Sequence, residues 1–269
     1  MKNFNSHRFL RTFRWFFSVN RSRLATWSIG SAIGIFILES MFIGIMLRTS
    51  PVADGMVYWQ AITVSMTICF ICAYIAVLIA YSSIFDSVNT KQRRIAFLML
   101  PATNLERWLT ALIYAIVVWP ICIGLAFLVG DLLRTVFFGL IGYGWVNWIK
   151  FLFDYISNSW PSWYSIIDHS TDVASLLWIA SVYVLGGTLF RKRAFVIVSL
   201  ILIALMIAFA VAAEHLMPQE GNINISFGNR LIDKSIIALI FIAFSVFNFW
   251  LSYRIFRRFQ VITSKWTNL

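Results

Sequence analysis

Charge is what this sequence has least of. Only 12% of its 269 residues are Asp, Glu, Lys or Arg, while 60% are apolar and the mean hydropathy is +0.81. A soluble domain carries about 25% charged and about 45–50% apolar residues. A water-soluble fold of this size would leave large apolar patches in solvent, so that class is excluded. Cysteine is scarce as well: Cys69, Cys72 and Cys122 are the whole complement, all in apolar runs. Cys69 and Cys72 have CxxC spacing, but redox and zinc pairs need thiolates in a polar setting. The three read as small packing residues. No G-x-x-x-x-G-K-[ST] occurs, so the chain builds no Walker phosphate loop. No H-E-x-x-H occurs either. Asp168-His169-Ser170-Thr171-Asp172 and Glu214-His215 lack zinc-site spacing and read as solvated external segments, with Asp172 capping a helix.

What the sequence has is long apolar runs. A bilayer core takes about 20 apolar residues of helix, and six segments qualify: Leu24–Leu47, Tyr58–Tyr81, Leu109–Val129, Val173–Phe190, Ala194–Ala213 and Ser235–Phe256. The expected fold class is an all-α integral membrane protein with six transmembrane helices. The first run is too long, and its basic lead-in too long and aromatic, for a cleaved signal peptide.

The distribution of basic residues orients these spans. Lys2, Arg8, Arg11, Arg14, Arg21 and Arg23 precede the first, and Lys91, Arg93, Arg94 and Arg107 separate the second from the third. Arg191, Lys192 and Arg193 separate the fourth from the fifth, and Arg254, Arg257, Arg258 and Lys265 follow the sixth. That is seventeen of the 22 Lys and Arg on one side. Most acids fall on the other. The positive-inside rule places the basic side, with both termini, in the cytosol. The net charge of +11 is therefore spread over membrane-flanking loops facing lipid headgroups, which leaves no nucleic-acid patch.

Thr135–Ile156 is apolar enough for a seventh span, but crossing there would carry Arg191–Arg193 and the basic C-terminus outside. It is expected to be interfacial or re-entrant. Trp145, Trp148, Trp160 and Trp163 suit the headgroup level, and Gly139, Gly142 and Gly144 weaken a regular helix.

Residues 1–23 are amphipathic at helical period. Phe9, Leu10, Phe13, Phe16 and Phe17 fall on one face, and Arg8, Arg11 and Arg14 on the other. The expectation is an elbow helix lying in the membrane plane, aromatic face down. After the second span comes a charged turn, then Phe97-Leu98-Met99-Leu100-Pro101. Pro101 disfavours helix at Leu100, and Thr103 or Asn104 then caps a new helix with Glu106 in its first turn.

The order basic cluster, FLMLPAT, LER resembles the cytosolic loop of type-2 ABC transporter permeases. The elbow helix, six spans, cytosolic termini and the external stretch 214–234 before the last span fit that pattern too. The resemblance implies a permease subunit moving a hydrophobic or amphipathic substrate. It also implies a separate cytosolic ATPase subunit that binds ATP and Mg, and a second permease copy or paralogue. It places residues 24–256 in the transmembrane domain and makes 82–107 the coupling loop. There Phe97, Leu98, Leu100 and Pro101 dock on the ATPase, with Arg93, Arg94, Glu106 and Arg107 at the rim. The aromatic insertion 131–172 is an external feature outside that pattern, and 257–269 form a cytosolic tail. The expected location is a cell membrane, as a multi-pass protein of the bacterial inner membrane. The alternative is a membrane adaptor or sensor subunit of the same fold that does not transport.

Glu39 is the ionisable residue deep in a span. A carboxylate there costs about 2.5–3.5 kcal/mol on insertion scales and has to face protein or a water-filled cavity. It lines the translocation path, or else it packs through an internal hydrogen bond to Ser, Thr or Tyr.

Overall fold

The computed structural model describes residues 4–49, 55–85, 91–143, 145, 147, 163–190, 193–216 and 230–258. Among them the chain is helical, with no β-strand element: α1 Ser6–Thr49, α2 Gly55–Ser82, α3 Lys91–Leu98 and α4 Asn104–Ile113. A π-turn, Tyr114–Val118, leads into α5 Trp119–Ile141, followed by α6 Trp163–Leu189, α7 Ala194–Leu216 and α8 Arg230–Phe256. Six helical runs are long and apolar enough to cross a membrane, and they contain the six expected segments almost entirely. These are the features of a multi-pass membrane protein. The inner parts of the expected external stretches, 148–162 and 217–229, and residues 259–269 of the tail lie outside the described residues.

Three boundaries differ from expectation. The amphipathic stretch and the first span form one unbroken 44-residue helix, because no proline or glycine interrupts it before Gly30. At 1.5 Å per residue it runs about 66 Å, twice a hydrocarbon core, so part of it stands outside the core. The third span likewise continues to Ile141, taking Asp131, Arg134 and Thr135 into a helix where an external insertion was expected. It ends at Gly142, which adopts φ 98° and caps the helix in the left-handed region. Third, Asp172 is no helix cap: α6 already starts at Trp163, and a Ser175 hydroxyl donates to the Asp172 carbonyl within it.

The chain packs as two units. In the first, residues 13–80 and 113–160, α1 and the third span run parallel. Their contacts advance together, from Phe16 on Tyr114 through Trp27 on Trp119 to Phe36 on Phe137. α2 returns antiparallel to them. Its Cys69 packs with Ile35 and Phe127, and its Ala61, Ile62 and Met66 with Ile43 and Phe138. Gly130 lets α5 approach closely, since a Cβ there would lie 2.8 Å from the Ala32 carbonyl oxygen.

The second unit holds residues 1–12, 81–112 and 161–269. Here α6 and α8 run parallel, joined by Trp178 on Phe241 and by the Asn248 amide donating to the Ser181 hydroxyl at 3.0 Å. α7 folds back on α6, with Tyr183 and Ser199 hydroxyls 2.9 Å apart. Its membrane-length stretch is only 11% buried, so lipid or another protein must cover its apolar surface. Gly187 of α6 sits against the end of α2, where a Cβ would collide with the Ser82 carbonyl group. Backbone cannot yield as a side chain can. Gly187→Ala is therefore expected to lower the thermal midpoint in detergent by several degrees, while Gly124→Ala, which has open space, should not. Equal midpoints for the two variants would contradict this packing.

Candidate functional site

The loop between the second and third long helices is built around a proline. α3 ends at Leu98, the Met99 and Leu100 amides still reach back to Ile95 and Phe97, and the Ala102 amide turns onto the Leu100 carbonyl at 2.7 Å. α4 then starts with a capping box. The Glu106 amide donates to the Thr103 hydroxyl at 3.2 Å, and the Thr103 amide donates to Glu106 Oε2 at 2.8 Å. Thr103 thus takes the cap expected of Thr103 or Asn104.

Glu106 does more than cap. Arg8 clasps it with Nε and Nη2 at 2.8 and 2.7 Å, and the Asn5 amide donates to Oε1 at 2.9 Å. Asn5 in turn caps α1, its Oδ1 accepting from the His7 and Arg8 amides. One carboxylate therefore sits at the positive ends of two helices, α1 and α4. It is fully buried, so the expected rim position for Glu106 is corrected: four N–H donors draw it inside.

Phe97 is also interior. It lies edge-on to Phe256, which stacks on Phe85 with ring centres 5.2 Å apart. Trp108 fixes the other flank, donating from Nε1 to the Ser252 hydroxyl at 3.2 Å. The loop thus rests on the last turns of α8, and Phe97 has no surface left for a partner. Arg107 folds back too, Nη2 to the Leu100 carbonyl at 2.5 Å. Met99 and Pro101 face outward, Met99 79% exposed, with Leu100 half-buried beside them. A cleft of about 350 Å³ opens next to Leu100 and Pro101, edged by His7, Arg8 and Arg11. Arg93, Arg94 and Leu98 lie on α3, and their side chains are outside the described residues.

Of the aromatic face expected to meet lipid, Phe9 and Phe13 are half-buried, but Phe16 is interior, edge-on to Tyr114. Arg11 and Arg14 are exposed.

A second cluster lies inside the other unit, at Glu39. Its partner is neither Ser, Thr nor Tyr. Arg134 of α5 donates from Nε to Glu39 Oε2 at 3.0 Å and to Asp131 Oδ1 at 3.1 Å, and its Nη2 bonds the same Asp131 oxygen closely. Glu39, Arg134 and Asp131 are all buried, the first two completely. Glu39 Oε1 accepts no N–H or O–H hydrogen bond from the described residues, and the Cys69 thiol lies beside the carboxylate.

Sequence reading missed Asp131 and Arg134, whose signal was their i, i+3 spacing on a run that stays apolar to Ile141. Asp168, His169, Glu214 and His215, whose spacing fits no zinc site, are on helical backbone with their side chains outside the described residues. Among the described residues no three His, Cys, Asp or Glu are grouped to hold a metal ion. No protein-family model, no curated protein and no solved structure matches this chain.

Proposed function

We propose that this chain is the permease subunit of an ABC transporter. It moves a hydrophobic or amphipathic substrate across or out of a cell membrane and is powered by a separate cytosolic ATPase that binds ATP and Mg. In this reading both termini and the loop 82–107 face the cytosol, and a second permease copy or paralogue completes the path, covering part of α7. The observation that carries the reading is the loop itself. A short helix, a proline break and a capped helix are braced from two sides, by Arg8 on Glu106 and by Phe97 on Phe256. A braced loop transmits force to α4 and the N-terminus of α1, where a slack loop would absorb it. Its outward residues, Met99, Leu100 and Pro101, form an apolar tip with His7 and Arg11 beside it.

The tip is tested by Met99→Glu. Burying a methionine on a partner contributes about 1.5–3 kcal/mol, which corresponds to about tenfold or more in affinity. The variant should insert and melt like wild type but retain its co-expressed ATPase at least about tenfold less well. Full retention, with hydrolysis still coupled to transport in liposomes, would remove the docking assignment. An ATPase that binds but whose hydrolysis no substrate stimulates would identify an adaptor or sensor instead.

A further inference from the structure

We propose that Glu39 is an intramembrane acceptor for the cationic, N–H-bearing headgroup of an amphiphile, and that Arg134 is the resident cation this headgroup displaces. The inference rests on the transporter reading above and names its substrate class. It starts from spare capacity. An ionised carboxylate offers about four acceptor sites, yet Glu39, wholly buried, engages Arg134 through Oε2 and leaves Oε1 without an N–H or O–H donor among the described residues. The thiol of Cys69 on α2 lies within reach to donate to the Glu39 carboxylate, but a thiol is a weak donor and leaves most of that capacity unused. A buried acceptor left open is costly, and an apolar span retains one where something comes to use it.

The second observation is how Arg134 is held. Its Nε–H is shared almost evenly, 3.0 Å from Glu39 on α1 and 3.1 Å from Asp131 on its own helix, and Nη2 also binds Asp131. Asp131 is three residues away on α5 and moves with Arg134. The guanidinium can therefore leave Glu39 without becoming a bare buried cation, because its second carboxylate travels with it. Glu39 has no such reserve. Once separated from Arg134 it needs another positive charge, since an uncompensated buried carboxylate is strongly unfavourable. A neutral or anionic headgroup would leave that deficit, whereas an ammonium fills it and supplies a donor for Oε1. Ile35, one turn from Glu39 on α1, packs with Cys69 and Phe127 in an apolar cluster, so the rest of the ligand is a hydrocarbon tail.

The test uses the whole chain alone in nanodiscs of zwitterionic lipid, with dodecylammonium as probe. Dodecyltrimethylammonium, equal in charge and chain length but lacking N–H, is the control. Calorimetric titration should show saturable dodecylammonium binding that weakens about tenfold to a hundredfold in Glu39→Gln, the range of a hydrogen bond to a charged group. The control ligand, which brings the charge but no donor, should bind wild type more weakly than dodecylammonium and lose less affinity in Glu39→Gln. If Glu39→Gln does not fold, Asp131→Asn serves: with its reserve negative charge gone, Arg134 should hold Glu39 more firmly and dodecylammonium should bind several-fold more weakly. Equal dodecylammonium affinity in wild type and in the folded variant would overturn the proposal, as would wild-type binding of the trimethyl control as tight as that of dodecylammonium. No ATPase enters this titration, so its failure and the failure of ATPase docking at Met99 are told apart.

Discussion

Arg134→Met should be the most damaging single substitution in the membrane region. Removing one partner of a buried ion pair costs about 3–5 kcal/mol, because the remaining charge is stranded in a low-dielectric interior. Here two carboxylates, Glu39 and Asp131, would be stranded together. The expected result is a protein that inserts but melts far below wild type in detergent, or that is cleared from the membrane. Neutralising all three positions, as Glu39→Gln, Asp131→Asn and Arg134→Met combined, should restore most of the midpoint, since a matched uncharged set costs less than a broken charged one. The single and triple variants together decide the point. If the single variant melts like wild type, the cluster is not a coupled unit.

Glu106→Ala is expected to have the second largest effect, and a more local one. It removes the acceptor for the Thr103 and Asn5 amides and for two donors of Arg8. A charge-assisted hydrogen bond is worth about 1.5–3 kcal/mol, and loss of the cap adds about 1 kcal/mol. Hydrogen exchange should speed up sharply at residues 5–12 and at Thr103, with little change in the spans. Glu106→Gln keeps the capping box without the charge and should fall between. Unchanged exchange at residues 5–12 in Glu106→Ala would mean that the N-terminus is held by other contacts.

The six spans were legible because lipid imposes a length and a composition that six segments satisfy, and charge set aside Thr135–Ile156, which comes close to both. The cap at Thr103 was legible for a local reason: a proline, a hydroxyl and a carboxylate three residues on define a helix start by themselves. The features that escaped notice depend on distant partners. Glu106 was expected at a charged rim on the strength of the permease resemblance, yet its environment is set by Arg8, far away in sequence. Phe97 looked free to dock because Phe256, which lies edge-on to it, belongs to a distant element. Arg134 fell in the expected external insertion 131–172 because the charges of Asp131 and Arg134 themselves ended the expected third span at Val129. The helix runs on because Glu39 and Asp131 make an arginine tolerable there. The alternation of charge along the chain is silent about pairs formed across helices.

The π-turn at Tyr114–Val118 has a consequence for the length of the chain. The Trp119 amide reaches the Tyr114 carbonyl, one residue farther back than in an α-helix, and Pro120, which has no amide hydrogen to donate, comes directly after it. Such a turn amounts to one extra residue in an otherwise regular helix, and each residue rotates the remainder of the helix by about 100°. The face that Gly130, Asp131 and Arg134 present to α1 is thus aimed by a phase offset introduced several turns earlier. A homologue could vary the side chains of 114–118 freely within the limits of packing. A homologue shorter by one residue there, closing an ordinary α-turn, would point its arginine about 100° away from the glutamate. In this helix the number of residues between Ile113 and Trp119 is as much a determinant of the buried cluster as the charged residues themselves.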